Sequence, residues 1–166
     1  HTISSNLNIE FSRGNLVCLL GENGIGKSTL LRTLTKVQPA LKGEIFINNK
    51  NLNTLSNLDL SKSLSLVLTE RLPESNLSVF ELVALGRQPY TNWVGKLTTK
   101  DLQFIYAAFE QTSTTHLMHS KHYELSDGQL QKILIARALA QNTNIIFLDE
   151  PTAHLDIHHT IETFTL

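Results

Sequence analysis

A glycine-rich stretch at residues 21–29 constrains the fold of this 166-residue chain more than any other feature. It reads GENGIGKST and fits the phosphate-loop pattern G-x-x-x-x-G-K-[ST] at every fixed position. The apolar run 16–20 comes directly before it, and leucines at helical spacing follow it as far as Pro39. A strand, a glycine turn and a helix in this order predict an α/β fold in which residues 16–20 form a buried parallel strand.

The residue types of this loop suit the binding of a nucleotide's phosphates. Glycines let the backbone come close to a ligand, and the N–H groups at a helix start attract anions. Lys27 can reach the β- and γ-phosphates, and the Ser28 hydroxyl can bind Mg²⁺. The alternative is a plain glycine turn, which the flanking strand and helix make less favoured. We therefore expect the whole loop to contact the nucleotide: Gly21, Glu22, Asn23, Gly24, Ile25, Gly26, Lys27, Ser28 and Thr29.

A second group of candidate residues follows the apolar run 145–148, where Asp149 and Glu150 come directly after the run. Side chains at the carboxyl end of a parallel strand face the crevice in which open α/β sheets bind ligands. Asp149 is placed to hold Mg²⁺, usually through water, and Glu150 to orient or deprotonate an attacking water. The alternative is a solvated acidic turn before Pro151.

The stretch between Pro73 and Gln141 has a helical character that differs from the strand-bearing segments on either side. Its hydrophobic spacing predicts helices, whereas short apolar or alternating runs elsewhere predict strands. The predicted helices cover residues 79–85, 99–109 and 128–140, and the further predicted strands cover 44–48 and 64–68. This order indicates a helical insertion between two parts of an α/β core.

Composition excludes several other classes of protein. Fourteen basic and fifteen acidic residues give a net charge of −1, which argues against a nucleic-acid-binding surface. Cys18 is the only cysteine, so no disulfide can form within the chain, and its place in the apolar run predicts a small buried side chain. No apolar stretch approaches the roughly 20 residues of a membrane span. The chain begins without Met and stops within a pattern, so we interpret it as a fragment truncated at both ends.

Residues 125–129, LSDGQ, open the helix that contains QLQKILIARALA. By itself this is a capped helix start. The stretch resembles the signature loop of ATP-binding-cassette (ABC) ATPases, which is usually LSGGQ. The order of phosphate loop, helical insertion, signature loop and IIFLDEPTAHLD also resembles that family along nearly the whole chain.

The resemblance implies a P-loop NTPase fold of ABC type, with a RecA-like α/β core and an inserted helical subdomain. Residues 1–166 would form a single, incomplete domain. Residues 1–71 and 142–166 would form the core with part of an antiparallel β arm, and 72–141 the helical subdomain. Two such domains would pair head to tail around two ATP molecules, with Ser126 and Gly128 at the γ-phosphate held by the partner and Gln129 also binding the nucleotide. Asp156 would lie on the loop that crosses the dimer interface.

The chain departs from the family pattern at two positions. Glu70 stands where the family usually has a glutamine that touches Mg²⁺; a carboxylate can also bind this ion, and the alternative is a surface acid paired with Arg71. Asp127 replaces a glycine of the signature loop, so its side chain is expected to point away from the phosphate. His154, His158 and His159 have a spacing that could form a metal site. The favoured alternative is that they are exposed or interface histidines.

The stretch NLSVFELVALGRQPYTNW resembles importer ATPases for iron–siderophore, haem and cobalamin. The resemblance implies transmembrane permease subunits as partners, docking through Arg87, Gln88, Tyr90 and Trp93. It also implies a periplasmic substrate-binding protein as an indirect partner, and a peripheral location on the cytoplasmic face of the bacterial inner membrane. The alternatives are an ABC exporter ATPase and a non-transport ABC ATPase. The isolated 166 residues are expected to bind Mg·ATP weakly and to hydrolyse little.

Overall fold

The computed structural model describes residues 6–68 and 75–150. It divides into two compact units, His1–Thr54 and Leu55–Leu166. The first unit contains helix α1 and a small hairpin of strands β1 and β2. The second contains helices α2 to α5 and the parallel strands β3 and β4. The bounds are α1 Lys27–Leu34, β1 Phe46–Ile47, β2 Lys50–Asn51, α2 Asn57–Ser63, β3 Leu64–Val67, α3 Val79–Ala84, α4 Thr99–Gln111, α5 Asp127–Gln141 and β4 Ile145–Leu148.

The hairpin of the first unit follows from two consecutive asparagines. Asn48 and Asn49 have φ angles of 48° and 62°, and the antiparallel strands β1 and β2 pair directly on either side of them. A two-residue turn with both φ angles positive is the tight hairpin turn that asparagine tolerates. The structure therefore confirms a strand within the predicted segment 44–48, although a shorter one.

The predicted buried strand at residues 16–20 is wrong in this structure. The segment has no regular secondary structure, and the exposed fractions of Leu16 and Leu20 are 77% and 87%. Cys18 is exposed as well, so its predicted burial is also wrong. An apolar run becomes a strand only when neighbouring strands satisfy its backbone hydrogen bonds. Among the described residues of the first unit, ladder pairing is confined to β1 and β2.

The second unit joins a parallel strand pair to a bundle of helices. β3 pairs with β4 in parallel, with Leu64 opposite Ile145 and Val67 opposite Leu148. Both strands agree with the predicted runs 64–68 and 145–148. Helix α2, which the sequence analysis missed, leads directly into β3 and is capped by the Ser56 hydroxyl, which accepts a hydrogen bond from the Asp59 amide.

Helices α3, α4 and α5 surround the main apolar core and confirm the three predicted helical segments. Each begins with a capping box, in which a serine or threonine and an acid or amide three residues later bond each other's backbone N–H. Between α3 and α4 the chain forms a 3-10 helix, Leu85–Tyr90. The fully buried centre of this core consists of Val79, Val83, Ile105, Phe109, Ile133, Ala136 and Ala140.

Gly86 permits a close approach between the 3-10 helix and α5. A Cβ atom at this position would overlap the backbone carbonyl of Arg137 and lie 3.3 Å from the amide nitrogen of Gln141. Because both neighbours are backbone atoms, the two segments would have to separate. We expect Gly86→Ala to lower the free energy of unfolding by about 3 kcal/mol, measured by urea denaturation of the intact protein.

Gly95 provides a matched control for the Gly86 substitution. Its φ angle is 76°, but an added Cβ would meet nothing within 4 Å. Gly95→Ala therefore introduces only backbone strain, and we expect a loss of about 1 kcal/mol. An unfolding free energy of Gly86→Ala that matches or exceeds that of Gly95→Ala would contradict the close-packing account.

Candidate functional site

The glycines of the phosphate loop give its backbone the shape that leads into α1. Gly24 and Gly26 have φ angles of 81° and 107°, in the left-handed region that glycine adopts most easily. Gly26 is the N-cap of α1, and no side chain caps this helix end. The first N–H groups of a helix have no partners within the helix, so they are available to an anion.

The Lys27 side chain folds back over the phosphate loop. Its ammonium donates hydrogen bonds to the carbonyl oxygens of Gly21 and Glu22, each at 2.9 Å. These two bonds use two of the three N–H donors that a lysine ammonium carries. Lys27 thus sits against the backbone of the loop with donor capacity left for a phosphate oxygen.

Asp149 and Glu150 lie at the carboxyl end of β4, but their surroundings differ. The amide of Asp149 donates to the carbonyl of Val67 at 2.9 Å, which extends the parallel pairing past β4. The Asp149 side chain is buried, whereas Glu150 is exposed. Glu150 has a φ angle of 47°, an uncommon conformation for a residue other than glycine and one that often occurs at functional sites.

The side chains of the signature loop cap helix α5. The Ser126 hydroxyl accepts a hydrogen bond from the Gln129 amide at 3.3 Å, and the Gln129 side-chain oxygen accepts one from the Ser126 amide at 3.0 Å. Gly128 lies within the same first turn. Both side chains and the Gln129 amide are therefore engaged locally, and the amides of Asp127 and Gly128 are the first-turn donors left for a ligand.

The candidate residues are distributed over both units of the chain. The phosphate loop belongs to the first unit, while Ser126, Asp149 and Glu150 belong to the second. The proposed magnesium ligand Glu70 lies outside the described residues, as do Arg71, Asp156 and the histidines at 154, 158 and 159. Within residues 6–68 and 75–150 no group of three or more histidine, cysteine or acidic residues is arranged to hold a metal ion.

Arg87 is buried in the second unit, although the sequence predicts that it docks a permease subunit. The residue has an exposed fraction of 3%, and its Nε donates to the Asp101 carboxylate at 2.9 Å. Trp93, in contrast, is 97% exposed. Sequence reasoning missed Asp101, although Thr98-x-x-Asp101 is a capping-box pattern that could have drawn attention to it.

These features define a class of protein: an α/β fold in which a helical bundle is inserted between the parallel strands β3 and β4. The family model of the ABC transporter matches residues 4–153, and the chain belongs to that family. Its fold is that of the ABC-type P-loop NTPases. Along the described residues, no helix combines the length and the apolar character that crossing a bilayer requires.

Three known proteins show the extent of the similarity. An uncharacterized ABC transporter ATP-binding protein of Methanocaldococcus jannaschii is 41% identical over 98% of this chain and 56% of its own length. The iron(3+)-hydroxamate import ATP-binding protein of Bacillus subtilis is 36% identical over 99% of this chain and 61% of its own length. A dimeric post-hydrolysis ATP-binding cassette with ADP and phosphate superposes with a TM-score of 0.82 at 26% identity, covering 98% of this chain and 72% of that one. The chain thus spans 56–61% of the length of these two curated relatives.

Proposed function

We propose that the intact protein is the ATP-binding and ATP-hydrolysing subunit of an ABC transporter. The observation that carries the proposal is the Lys27 ammonium lying against the phosphate loop, beside a helix start that no side chain caps. Backbone N–H groups and a lysine charge at one loop are suited to the β- and γ-phosphates of a nucleotide. The similarity to a cassette that binds ADP and phosphate supports adenine nucleotide as the ligand.

Mg²⁺ is the cofactor that we propose for the bound nucleotide. Ser28 lies in the first turn of α1, and the buried Asp149 offers a carboxylate at the end of β4. Hydroxyl and carboxylate oxygens are the ligands this ion prefers, and we assign Ser28, Asp149 and Glu70 to it. When bound, the ion neutralises charge on the phosphates. Glu150, exposed just beyond Asp149, would accept the proton of the attacking water.

A second ATPase subunit would complete each nucleotide site. The first turn of α5 places the N–H groups after Ser126 at the start of a 15-residue helix, where they favour negative charge. In the proposed head-to-tail pair, Ser126, Gly128 and Gln129 of one subunit face the γ-phosphate held by the other. The dimeric state of the superposed cassette supports this arrangement.

The transported solute is proposed to be an iron chelate that is imported. The support is the 36% identity to an iron(3+)-hydroxamate import ATP-binding protein along 99% of the chain. The ATPase would bind transmembrane permease subunits at the cytoplasmic face of the membrane, working indirectly with a periplasmic substrate-binding protein. The exposed Trp93, Val94 and Tyr90 provide an apolar surface suited to such a permease contact.

Nucleotide titration tests the proposed ATPase directly. The intact protein is titrated with radiolabelled ATP in the presence of Mg²⁺, and binding is followed by equilibrium dialysis. We expect saturable uptake that excess unlabelled ATP displaces, and phosphate release that requires Mg²⁺. Absence of saturable uptake would refute the proposed function.

A further inference from the structure

The buried guanidinium of Arg87 joins three separate elements of the second unit. Its Nε donates to Asp101 in the first turn of α4, and its Nη1 donates to the carbonyl oxygens of Ala140 and Gln141 at 2.8 and 3.3 Å. Arg87 itself lies in the 3-10 helix that follows α3. Its planar fork lets one side chain bond in several directions at once, which a lysine cannot do.

The Arg87–Asp101 pair closes the base of the loop that carries Trp93. The two residues are 14 positions apart, and Trp93 lies between them in the sequence. On one side of the loop the Tyr90 ring covers the guanidinium at 3.9 Å. On the other side the Asp101 carboxylate accepts hydrogen bonds from the amide and hydroxyl of Thr98. A displacement of either side of the loop therefore acts on the same ion pair.

The tip of this loop is held in shape by Asn92. Its side-chain oxygen accepts hydrogen bonds from the amides of Val94 and Lys96 at 3.2 and 3.1 Å. Trp93 therefore projects from an internally bonded loop and is almost fully exposed. A partner that contacts Trp93 would move the loop as a body rather than the tryptophan alone.

The carbonyl groups that Arg87 binds belong to the end of α5 opposite the signature loop. Ala140 and Gln141 are its last two residues, and Ser126 caps its first turn. A helix of 15 residues is about 22 Å long, so a rigid α5 connects the guanidinium to the signature loop over that distance. The Gln141 side chain also donates to the carbonyls of Ser61 and Leu64, at 2.5 and 3.0 Å, which anchors this end of α5 to α2 and to the start of β3.

We propose that Arg87 is a positioning residue that couples the Trp93 loop to α5 and thereby to the signature loop. This inference rests on the proposed function, because the signature loop then contacts ATP and the Trp93 loop contacts the permease. Stability alone is a weak reason for such a group, since burying an ion pair costs about as much as its attraction returns. The geometry instead links three elements through one hydrogen-bonded ion pair, and networks of this kind can carry coupling between two sites.

Trp93, the only tryptophan in this sequence, serves as the reporter for the test. The intact protein, with any other tryptophan replaced by phenylalanine, is saturated with a non-hydrolysable ATP analogue and Mg²⁺. Acrylamide quenching of Trp93 fluorescence is measured with and without the analogue, and analogue affinity is measured by dialysis. We expect the analogue to change the quenching constant of the wild type. Arg87→Met should lose most of this change while its affinity stays within about threefold of wild type, because coupling between sites is separable from binding at one of them.

Two further variants separate positioning from structural support. Arg87→Lys keeps a charge for Asp101 but loses the fork to α5, so it should fold and still lose most of the quenching change, even if Arg87→Met does not fold. Ile105→Val removes one methyl group from the core, destabilises the fold only modestly and should keep the quenching change.

A full quenching change in either Arg87 variant would overturn the inference. An equal loss of the quenching change in Ile105→Val would also overturn it. So would a wild-type protein that binds the analogue without any change in Trp93 quenching. The proposed ATPase function would survive each of these results, whereas a wild type that binds no analogue would remove that function itself.

Discussion

Lys27→Ala is expected to weaken Mg·ATP binding by roughly 30- to 1000-fold, the equivalent of about 2–4 kcal/mol. The ammonium is the cation fixed against the phosphate loop by the carbonyl oxygens of Gly21 and Glu22. Removing it takes away a charge-assisted hydrogen bond to phosphate and leaves those oxygens to water. Equilibrium dialysis with labelled ATP measures the change.

The exposed Lys42 provides the control for Lys27, because it belongs to the same unit and carries the same charge. Lys42→Ala should leave ATP affinity within about twofold of wild type, since an exposed charge outside the loop is screened by salt. Lys27→Arg should keep the charge but recover only part of the affinity, because its planar fork differs in shape from an ammonium. Equal affinities for Lys27→Ala and wild type would show that the loop binds phosphate without this side chain, or not at all.

The helix starts of this chain were predictable because local chemistry determines them. Ser78, Thr98 and Ser126 each have a carboxylate or amide side chain three residues later, and each observed helix begins directly after the first member of the pair. Ser56 and Asp59 form a similar local pattern before α2. That short helix was missed because its leucines, one exposed and one buried, show no clear apolar face.

The position of Arg87 could not be predicted from the sequence. Its partners lie 14, 53 and 54 residues away, and two of them are backbone carbonyls, which carry no sequence signal. The absence of a strand at residues 16–20 could not be predicted for a similar reason. Residue types indicate that a segment can be buried, but they do not show which strands will pair with it. β3 and β4 were predicted correctly, because each satisfies the other's backbone in a parallel register.

Glu150→Gln is expected to lower kcat for ATP hydrolysis roughly 100- to 1000-fold, a loss typical of a missing general base, while ATP affinity stays within about threefold. Glutamine keeps the shape of the side chain but cannot take a proton from water. Glu150 is exposed and adopts an unusual backbone conformation just past β4, whereas its neighbour Asp149 is buried. Steady-state phosphate release and labelled ATP binding on the intact protein separate the two effects.

The exposed Glu110 lies on α4 of the same unit, and Glu110→Gln should leave both quantities unchanged. Hydrolysis by Glu150→Gln at the wild-type rate would mean that a different group activates the water, whereas a loss of ATP binding would place Glu150 among the groups that hold the nucleotide.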